Sequence, residues 1–190
     1  MAAPEDTNIL NMTGIWSLNS AESDDLDATF AVQGIPWIIR KVIAYARLEI
    51  EMKQQVSDEP DTKSATIINV KQTVRPGGFD TANRYILDGQ TRHDTVPIFG
   101  AMSMKASYVS RAEVSEEATL GREIEDPVGG DGRVAIEERS GGVNTGWQTV
   151  ATWGFEEVNG ERRFCKYCIT TKGDQKAEAR LVYDYRALSA

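Results

Sequence analysis

The residues whose types could carry chemistry are two cysteines and a single histidine. Cys165 and Cys168 form a CxxC pair in "FCKYC", a spacing found in zinc sites and in thioredoxin-type redox sites. A zinc site needs a second pair of ligands, and His93 is the only histidine in the chain. The surrounding "RRFCKYCITT" reads as a β-strand, on which residues three apart point to opposite faces. We therefore expect two reduced cysteines in a sheet, with neither a metal nor a redox site.

His93 is also the only imidazole available for acid–base catalysis. It lies in "TRHDT", where the neighbouring Asp94 would point away from it on a strand, so the two would not form a catalytic pair. The sequence contains no nucleophile elbow, no HExxH and no phosphate-binding loop. We expect His93 on the surface or in a loop, and we expect no cofactor.

Most of the chain alternates between apolar and polar residues, which is typical of β-strands with one buried face. In "RLEIEMK", Leu48, Ile50 and Met52 alternate with charged residues. Turn signals such as "LDGQ" and "KGD" separate one alternating run from the next. The pattern predicts about ten strands. They are expected near residues 13–18, 47–56, 64–74, 80–88, 101–113, 119–125, 132–139, 147–157, 162–171 and 177–186.

Residues 24–45 interrupt this alternation with a helical pattern. Ser23, followed by acidic residues, is typical of a helix N-terminus, and Gly34 is typical of a helix end. Pro36 suits the first turn of a second helix. We predict a pair of short helices between the first and second strands.

These elements predict an all-β fold. Neighbouring strands with short connections pair antiparallel, and a sheet of about ten strands hides its edges by closing on itself. A barrel of that width is not filled by its own side chains. We therefore predict an antiparallel up-and-down β-barrel over residues 13–190, with a helix–turn–helix lid over an interior cavity. Residues 1–12 are expected to form a flexible leader before this single domain.

Strand alternation also indicates which side chains face the cavity. If the apolar residues of 47–56 point inward, the same alternation selects apolar and aromatic residues on the later strands, and the lid adds two more. Each of them has two interpretations, a ligand contact or ordinary core packing. The predicted ligand-binding residues are Phe30, Trp37, Tyr85, Met104, Tyr108, Trp147, Trp153, Tyr167 and Tyr183.

Two segments carry a resemblance to a known family. The strand "GIW", the helical "GIPWIIRK" and the strand "LEIEM" resemble the intracellular lipid-binding proteins, which include the fatty-acid-binding proteins of the lipocalin-like calycin group. The C-terminal "ARLVYDY" is similar to that family's last strand, where a Tyr near Tyr183 helps to hold a ligand carboxylate. The resemblance implies a ten-stranded barrel with two helices after strand one. The chain departs from the family at Leu181, where the family has Arg, and this departure favours a ligand other than an ordinary fatty acid.

Composition limits the partners. The net charge of −8 disfavours nucleic acid, because two negative fields repel. No segment reaches the roughly 18 apolar residues of a membrane span. The N-terminal "MAAPEDTNIL" has no apolar core of signal-peptide length, so we predict a cytoplasmic protein.

Two functions are consistent with these features. The first is binding of a bulky hydrophobic small molecule, of the lipid, polyketide or terpenoid type, inside the barrel. The alternative is a cofactor-independent cyclase or isomerase, since the chain also resembles small lipocalin-like pericyclases (Diels–Alderase-like enzymes) of polyketide pathways in secondary metabolism. Such an enzyme would fold a polyene in the same cavity.

Overall fold

The computed structural model describes residues 1–76, 78, 80–127 and 131–188. Within these ranges the chain forms ten β-strands and two α-helices. Their bounds are β1 Gly14–Leu18, α1 Asp27–Val32, α2 Trp37–Ala44, β2 Arg47–Val56, β3 Thr66–Arg75, β4 Thr81–Ile86, β5 Arg92–Val96, β6 Gly100–Ser110, β7 Arg133–Gly142, β8 Gln148–Val158, β9 Glu161–Lys172 and β10 Gln175–Arg186.

The strands form one antiparallel sheet in the order β4-β3-β2-β1-β10-β9-β8-β7-β6-β5. β1 pairs with both β2 and β10, which joins the two ends of the chain in the middle of the sheet. The sheet curls until β4 lies beside β6, where the Gly89 N–H donates to the Ala106 carbonyl over 2.9 Å. The barrel is therefore nearly closed, and the predicted barrel with its helix pair between strands one and two is confirmed.

One predicted strand is wrong and another was missed. Residues 119–125 form no strand; the segment begins with a 3-10 turn at Glu117–Thr119. Leu120 and Gly121 adopt positive φ values of 51° and 72°, which a β-strand does not accommodate. The tenth strand is instead β5, a short and mostly exposed strand that lacks the alternation of a half-buried one.

The first twelve residues pack against the barrel, whereas we predicted a flexible leader. The side chains of Ile9 and Met12 are 1% and 0% exposed and belong to the main core cluster. The Ala3 N–H donates to the Arg162 carbonyl over 2.8 Å, and the Trp16 indole N–H donates to the Met12 carbonyl over 3.0 Å. Apolar side chains from this segment therefore fill one end of the barrel.

The helix pair is fastened to β10 by the segment that precedes α1. Ser23 accepts a hydrogen bond from the Val182 N–H over 2.8 Å instead of capping a helix, and α1 begins only at Asp27. The Asp24 N–H donates to the Arg180 carbonyl over 2.9 Å. Neither helix in the described part of the chain is long and apolar enough to cross a membrane.

Candidate functional site

A cavity of about 790 Å³ occupies the barrel beneath the helices. Its volume lies in the range of small-molecule sites. Alternate residues of the strands line it, as on β8, where Thr149, Ala151 and Trp153 face inward. On β2 the inward residues are Leu48, Ile50 and Met52, as the sequence predicted. The helix pair contributes part of the wall of this cavity and separates it from solvent on that side.

Six of the predicted ligand-binding residues meet at this cavity. They come from the lid, from β4, from β6, from β8 and the residue before it, and from β10, so only the nearly closed barrel brings them together. Their side chains range from half-buried on the lid to almost fully buried on the wall. These six are Phe30, Tyr85, Met104, Trp147, Trp153 and Tyr183.

Tyr108 lies at the other end of the barrel, outside the cavity wall. Its hydroxyl is hydrogen-bonded to the Gln54 side-chain amide over 2.9 Å, and that same amide reaches the Ile9 carbonyl. The Arg133 guanidinium covers the Tyr108 ring at 4.5 Å. The prediction for this residue is corrected because the N-terminal segment fills the space that Tyr108 faces.

Trp37 lies on the outside of the lid, with 61% of its surface exposed. The residues of α2 that line the cavity are Arg40, Ile43 and Ala44. Trp37 is the first residue of α2, and helical side chains lean toward the N-terminus, so its indole extends past the helix end into solvent. The sequence identified the lid correctly but chose the wrong residue of α2.

Tyr167 is fully buried but faces away from the cavity. On β9 the inward residues are Phe164, Lys166 and Cys168, so Tyr167 belongs to the opposite face. There it packs in a second cluster with Ile124 and Val182, beneath the segment between β6 and β7. Both faces of β9 are covered at this point, and alternation of apolar residues therefore gave no unique choice of the inward face.

A buried ion pair lies in the wall of the cavity. Lys166 Nζ donates to Glu138 Oε2 over 2.7 Å, and Trp153 Nε1 donates to the same oxygen over 3.1 Å. The ammonium also lies 4.9 Å from the centre of the Trp153 ring. The Glu138 side chain is 8% exposed and that of Lys166 is 21% exposed, with the lysine facing the cavity.

The charges and burial of this cluster perturb its titratable groups. Burial alone would lower the pKa of Lys166, but Glu138 together with the neighbouring ionisable groups Tyr85, Cys168 and Tyr183 raises that pKa above its ordinary value. Burial, reinforced by Glu138, raises the pKa of Tyr85 and of Tyr183 above the usual value. Burial also raises the pKa of Cys168 to about 11. At neutral pH the cavity therefore contains one ammonium, with neutral phenols and a neutral thiol around it.

The lid closes onto the wall through aromatic rings and one hydrogen bond. Phe30 of α1 lies 6.3 Å from Phe99, and Phe99 lies 6.1 Å from Trp147, measured between ring centroids. Gln33 Nε2 donates to the Thr149 hydroxyl over 3.3 Å. The lid is thus attached to β8 and to the residues just before β8 and β6, in addition to its connection to β10.

Sequence reasoning missed the polar residues of the site: Gln33, Glu138 and Lys166. A charged residue on an alternating strand is normally assigned to the solvent face, and "CKYC" and "IEER" follow that expectation. The one signal that could have found Lys166 is the alternation Phe164, Lys166, Cys168, which places it on the same face as two apolar residues.

Comparisons with known proteins agree with this architecture. The chain is 24% identical over 186 residues to a probable pericyclase, scpY, of Mollisia scopiformis, covering 97% of this chain and 94% of that protein. It is 23% identical over 186 residues to the pericyclase pydY of an Acremonium species, covering 97% of both. No protein-family model matches the sequence.

Among solved structures, the extracellular fatty acid binding protein As-p18 superimposes with a TM-score of 0.52. The match covers 92% of this chain and 95% of that one at 15% identity, so it shows a shared fold. The molecule therefore has a lipocalin-like barrel fold similar to that of a fatty acid binding protein. Its curated relatives are pericyclases, and both a binding and a cyclase function are compatible with it.

Proposed function

We propose that this protein is a pericyclase, which binds a linear polyene in the barrel cavity and catalyses its ring closure there. The observation that carries the proposal is the Lys166 ammonium in the wall of a large and mainly apolar cavity beneath the helix pair. Full-length similarity to two pericyclases supports it. The cavity would hold the apolar chain, and Lys166 would hold a carbonyl conjugated to the reacting double bond.

Lys166 is suited to polarise a carbonyl. An ammonium group has more N–H donors than its hydrogen bond to Glu138 uses, so it can donate to a ligand as well. Its raised pKa keeps it charged at neutral pH. A hydrogen bond from this charge to a carbonyl conjugated with the reacting double bond withdraws electron density from that double bond as the transition state forms.

The cavity supplies the other part of the catalysis. In a cycloaddition of a diene and a dienophile, π electrons form two new C–C σ bonds while no atom leaves, so neither a nucleophile nor a proton acceptor is required. The main obstacle is the conformational freedom of the chain. Bulky walls such as Phe30, Tyr85 and Trp147 restrict the chain to few conformations, which lowers the entropic part of the barrier.

A turnover assay tests this proposal. The purified protein is incubated with a linear polyene that carries a conjugated carbonyl, and the stereoisomers of the cyclised product are measured above the uncatalysed background. We expect one stereoisomer to be enriched. Lys166→Met should reduce the rate by about 100-fold, the usual effect of removing one donor to a developing charge.

Lys176→Met is the matched control. Lys176 is a surface lysine paired with Glu117 and Glu178, so its loss removes the same functional group without reaching the cavity. The control should keep the wild-type rate. Equal rates for wild type and Lys166→Met would show that Lys166 does not polarise the substrate, and no enrichment by the wild-type protein would rule out the cyclase.

Ligand binding without turnover is the second candidate, favoured by the barrel fold shared with a fatty acid binding protein. In that case the same polyene would quench the fluorescence of Trp147 and Trp153 on binding and would be released unchanged. A cytoplasmic location is also part of the proposal, although the structural neighbour As-p18 is described as extracellular.

A further inference from the structure

Each lysine and arginine that lines the cavity in the described part of the chain is paired with a carboxylate of the protein itself. The four pairs are Lys166–Glu138, Arg40–Asp27, Arg84–Glu59 and Arg92–Asp88, with N–O distances of 2.6 or 2.7 Å. Asp24, Asp25 and Asp94 also line the cavity, and the chain as a whole carries a net charge of −8. A ligand carboxylate would therefore enter a field that repels it.

Glu138 is the most buried of these four carboxylates. Its Oε2 accepts hydrogen bonds from Lys166 Nζ over 2.7 Å and from Trp153 Nε1 over 3.1 Å. Both donors belong to residues that line the cavity, so Glu138 is held in the wall beside the ammonium that a ligand would meet. The protein itself thus supplies the carboxylate that balances the charge of Lys166.

A neutral carbonyl and a carboxylate differ in how they would meet this pair. An ammonium group has several N–H donors, and a carbonyl oxygen can accept from one that Glu138 leaves free. A ligand carboxylate at the same place would bring a second negative charge next to the buried Glu138. Such a repulsive contact weakens binding of the charged ligand and leaves binding of the neutral one unaffected, which gives selectivity.

We infer that Glu138 determines the specificity of the cavity, because it makes Lys166 select an uncharged carbonyl and reject a free carboxylate. This inference rests on the proposed function, in which Lys166 binds a carbonyl of the substrate. The substrate class is then a linear polyene whose carboxyl end has already become an ester, an amide or a ketone. An acyl transfer or a condensation, which removes the carboxylate charge, must therefore precede the ring closure.

A binding experiment with two matched probes tests the inference. 2-Tridecanone and dodecanoate carry the same undecyl chain on the carbonyl carbon, and they differ only in a methyl group against an oxygen anion. Titration calorimetry measures both affinities at about pH 8, where the acid is ionised. We expect wild type to bind the ketone at least about tenfold more tightly. In Glu138→Gln, which keeps the shape but removes the charge, dodecanoate affinity should rise by about 100-fold, since Lys166 then lacks its partner.

Two further variants serve as controls. The double variant Glu138→Gln/Lys166→Met has neither charge, so it should lose the dodecanoate affinity that the single variant gains, while the ketone still binds. Glu178→Gln removes a surface carboxylate that pairs with Lys176, and it should keep the wild-type preference.

Thermal unfolding covers the case in which Glu138→Gln folds poorly, because its lysine lacks a counter-ion. Dodecanoate should then raise the unfolding temperature of this variant more than 2-tridecanone does. A wild-type protein that binds dodecanoate as tightly as the ketone would overturn the inference without any variant. So would a dodecanoate affinity that is the same in Glu138→Gln as in wild type.

The result is independent of turnover. Selective binding of the ketone by a protein that cyclises nothing would support the role of Glu138 and reject the cyclase. Cyclisation by a protein that binds both probes equally would support the cyclase and reject the role of Glu138.

Discussion

Two buried ion pairs of similar composition lie on opposite faces of the same part of the barrel wall. On the inner face, Glu138 and Lys166 lie beside Cys168 and line the cavity. On the outer face, Glu156 accepts hydrogen bonds from Arg180 Nε over 2.6 Å and from the Cys165 thiol over 3.3 Å. A further tyrosine, Tyr167, packs on the outer side.

The two pairs differ in what covers them. The outer pair lies against the segment between β6 and β7, whose Ile124 approaches so closely that a side chain at Gly154 would collide with it. Glu125 also bonds to the wall, from its N–H to the Phe155 carbonyl over 2.7 Å. The inner pair faces the cavity. Similar residues therefore contribute to packing where other protein segments cover them. Where they face a cavity instead, they are available to a ligand.

The largest effect that would test this comparison is on stability. Arg180→Met leaves the Glu156 carboxylate, 6% exposed, without its cation beneath the outer segment. We expect the free energy of unfolding to fall by about 3–5 kcal/mol, the usual result of breaking a sealed ion pair. Chemical denaturation monitored by tryptophan fluorescence measures it.

Lys166→Met is the matched variant on the inner face. Glu138 would keep the Trp153 N–H and could take up water from the cavity, so the loss of stability should be smaller. Equal losses in the two variants would show that the inner pair is as sealed as the outer one, and the comparison would fail.

The stability of the protein at alkaline pH should reflect the buried cysteines of the two regions. The ordinary pKa of the Cys168 thiol is 9.0, and burial raises it to about 11 in the folded protein. Below pH 9 the thiol is protonated in both the folded and the unfolded protein, and its contribution to stability is fully present. Between pH 9 and about pH 11 only the unfolded chain releases the proton, so this contribution is lost as the pH rises. We expect the free energy of unfolding to fall by about 1.4 kcal/mol per pH unit per such group.

Denaturation curves across this range check the expectation, with Cys168→Ala and Cys165→Ala as a pair of variants. Burial also raises the pKa of Cys165, so each substitution should make the pH dependence less steep. A wild-type protein whose stability is constant over this range would contradict the raised pKa values.

The smallest effect concerns the two faces of the lid. Trp37→Ala removes an exposed indole and should change stability by less than about 0.5 kcal/mol, with an unchanged rate of ligand dissociation. Phe30→Ala removes a ring that lines the cavity and packs toward Phe99, so ligand release should be several-fold faster. Stopped-flow fluorescence compares the two. Faster release of the ligand from Trp37→Ala would instead support the ligand contact that the sequence predicted for Trp37.

The cavity wall was predictable where only one face of a strand is covered. On β2, apolar and charged residues alternate, and Leu48, Ile50 and Met52 line the cavity as expected. On β9 the outer face is covered as well, so Tyr167 and Lys166 could not be assigned from their polarity. Trp37 illustrates a second limit of prediction from sequence. The residue at which a helix begins and the face that it turns to the cavity depend on the elements against which the helix packs.

The amino-acid sequence by itself determined the architecture of this protein. Periodicity and turn residues depend on neighbours along the chain, and they specify an antiparallel barrel with a helix pair after its first strand. Only the tertiary structure decided which charges face the cavity. Glu138 and Lys166 become an internal pair because β7, β8 and β9 lie side by side at one register while another segment covers their outer face. Burial of that kind arises from contacts between residues distant in sequence, which no local pattern encodes.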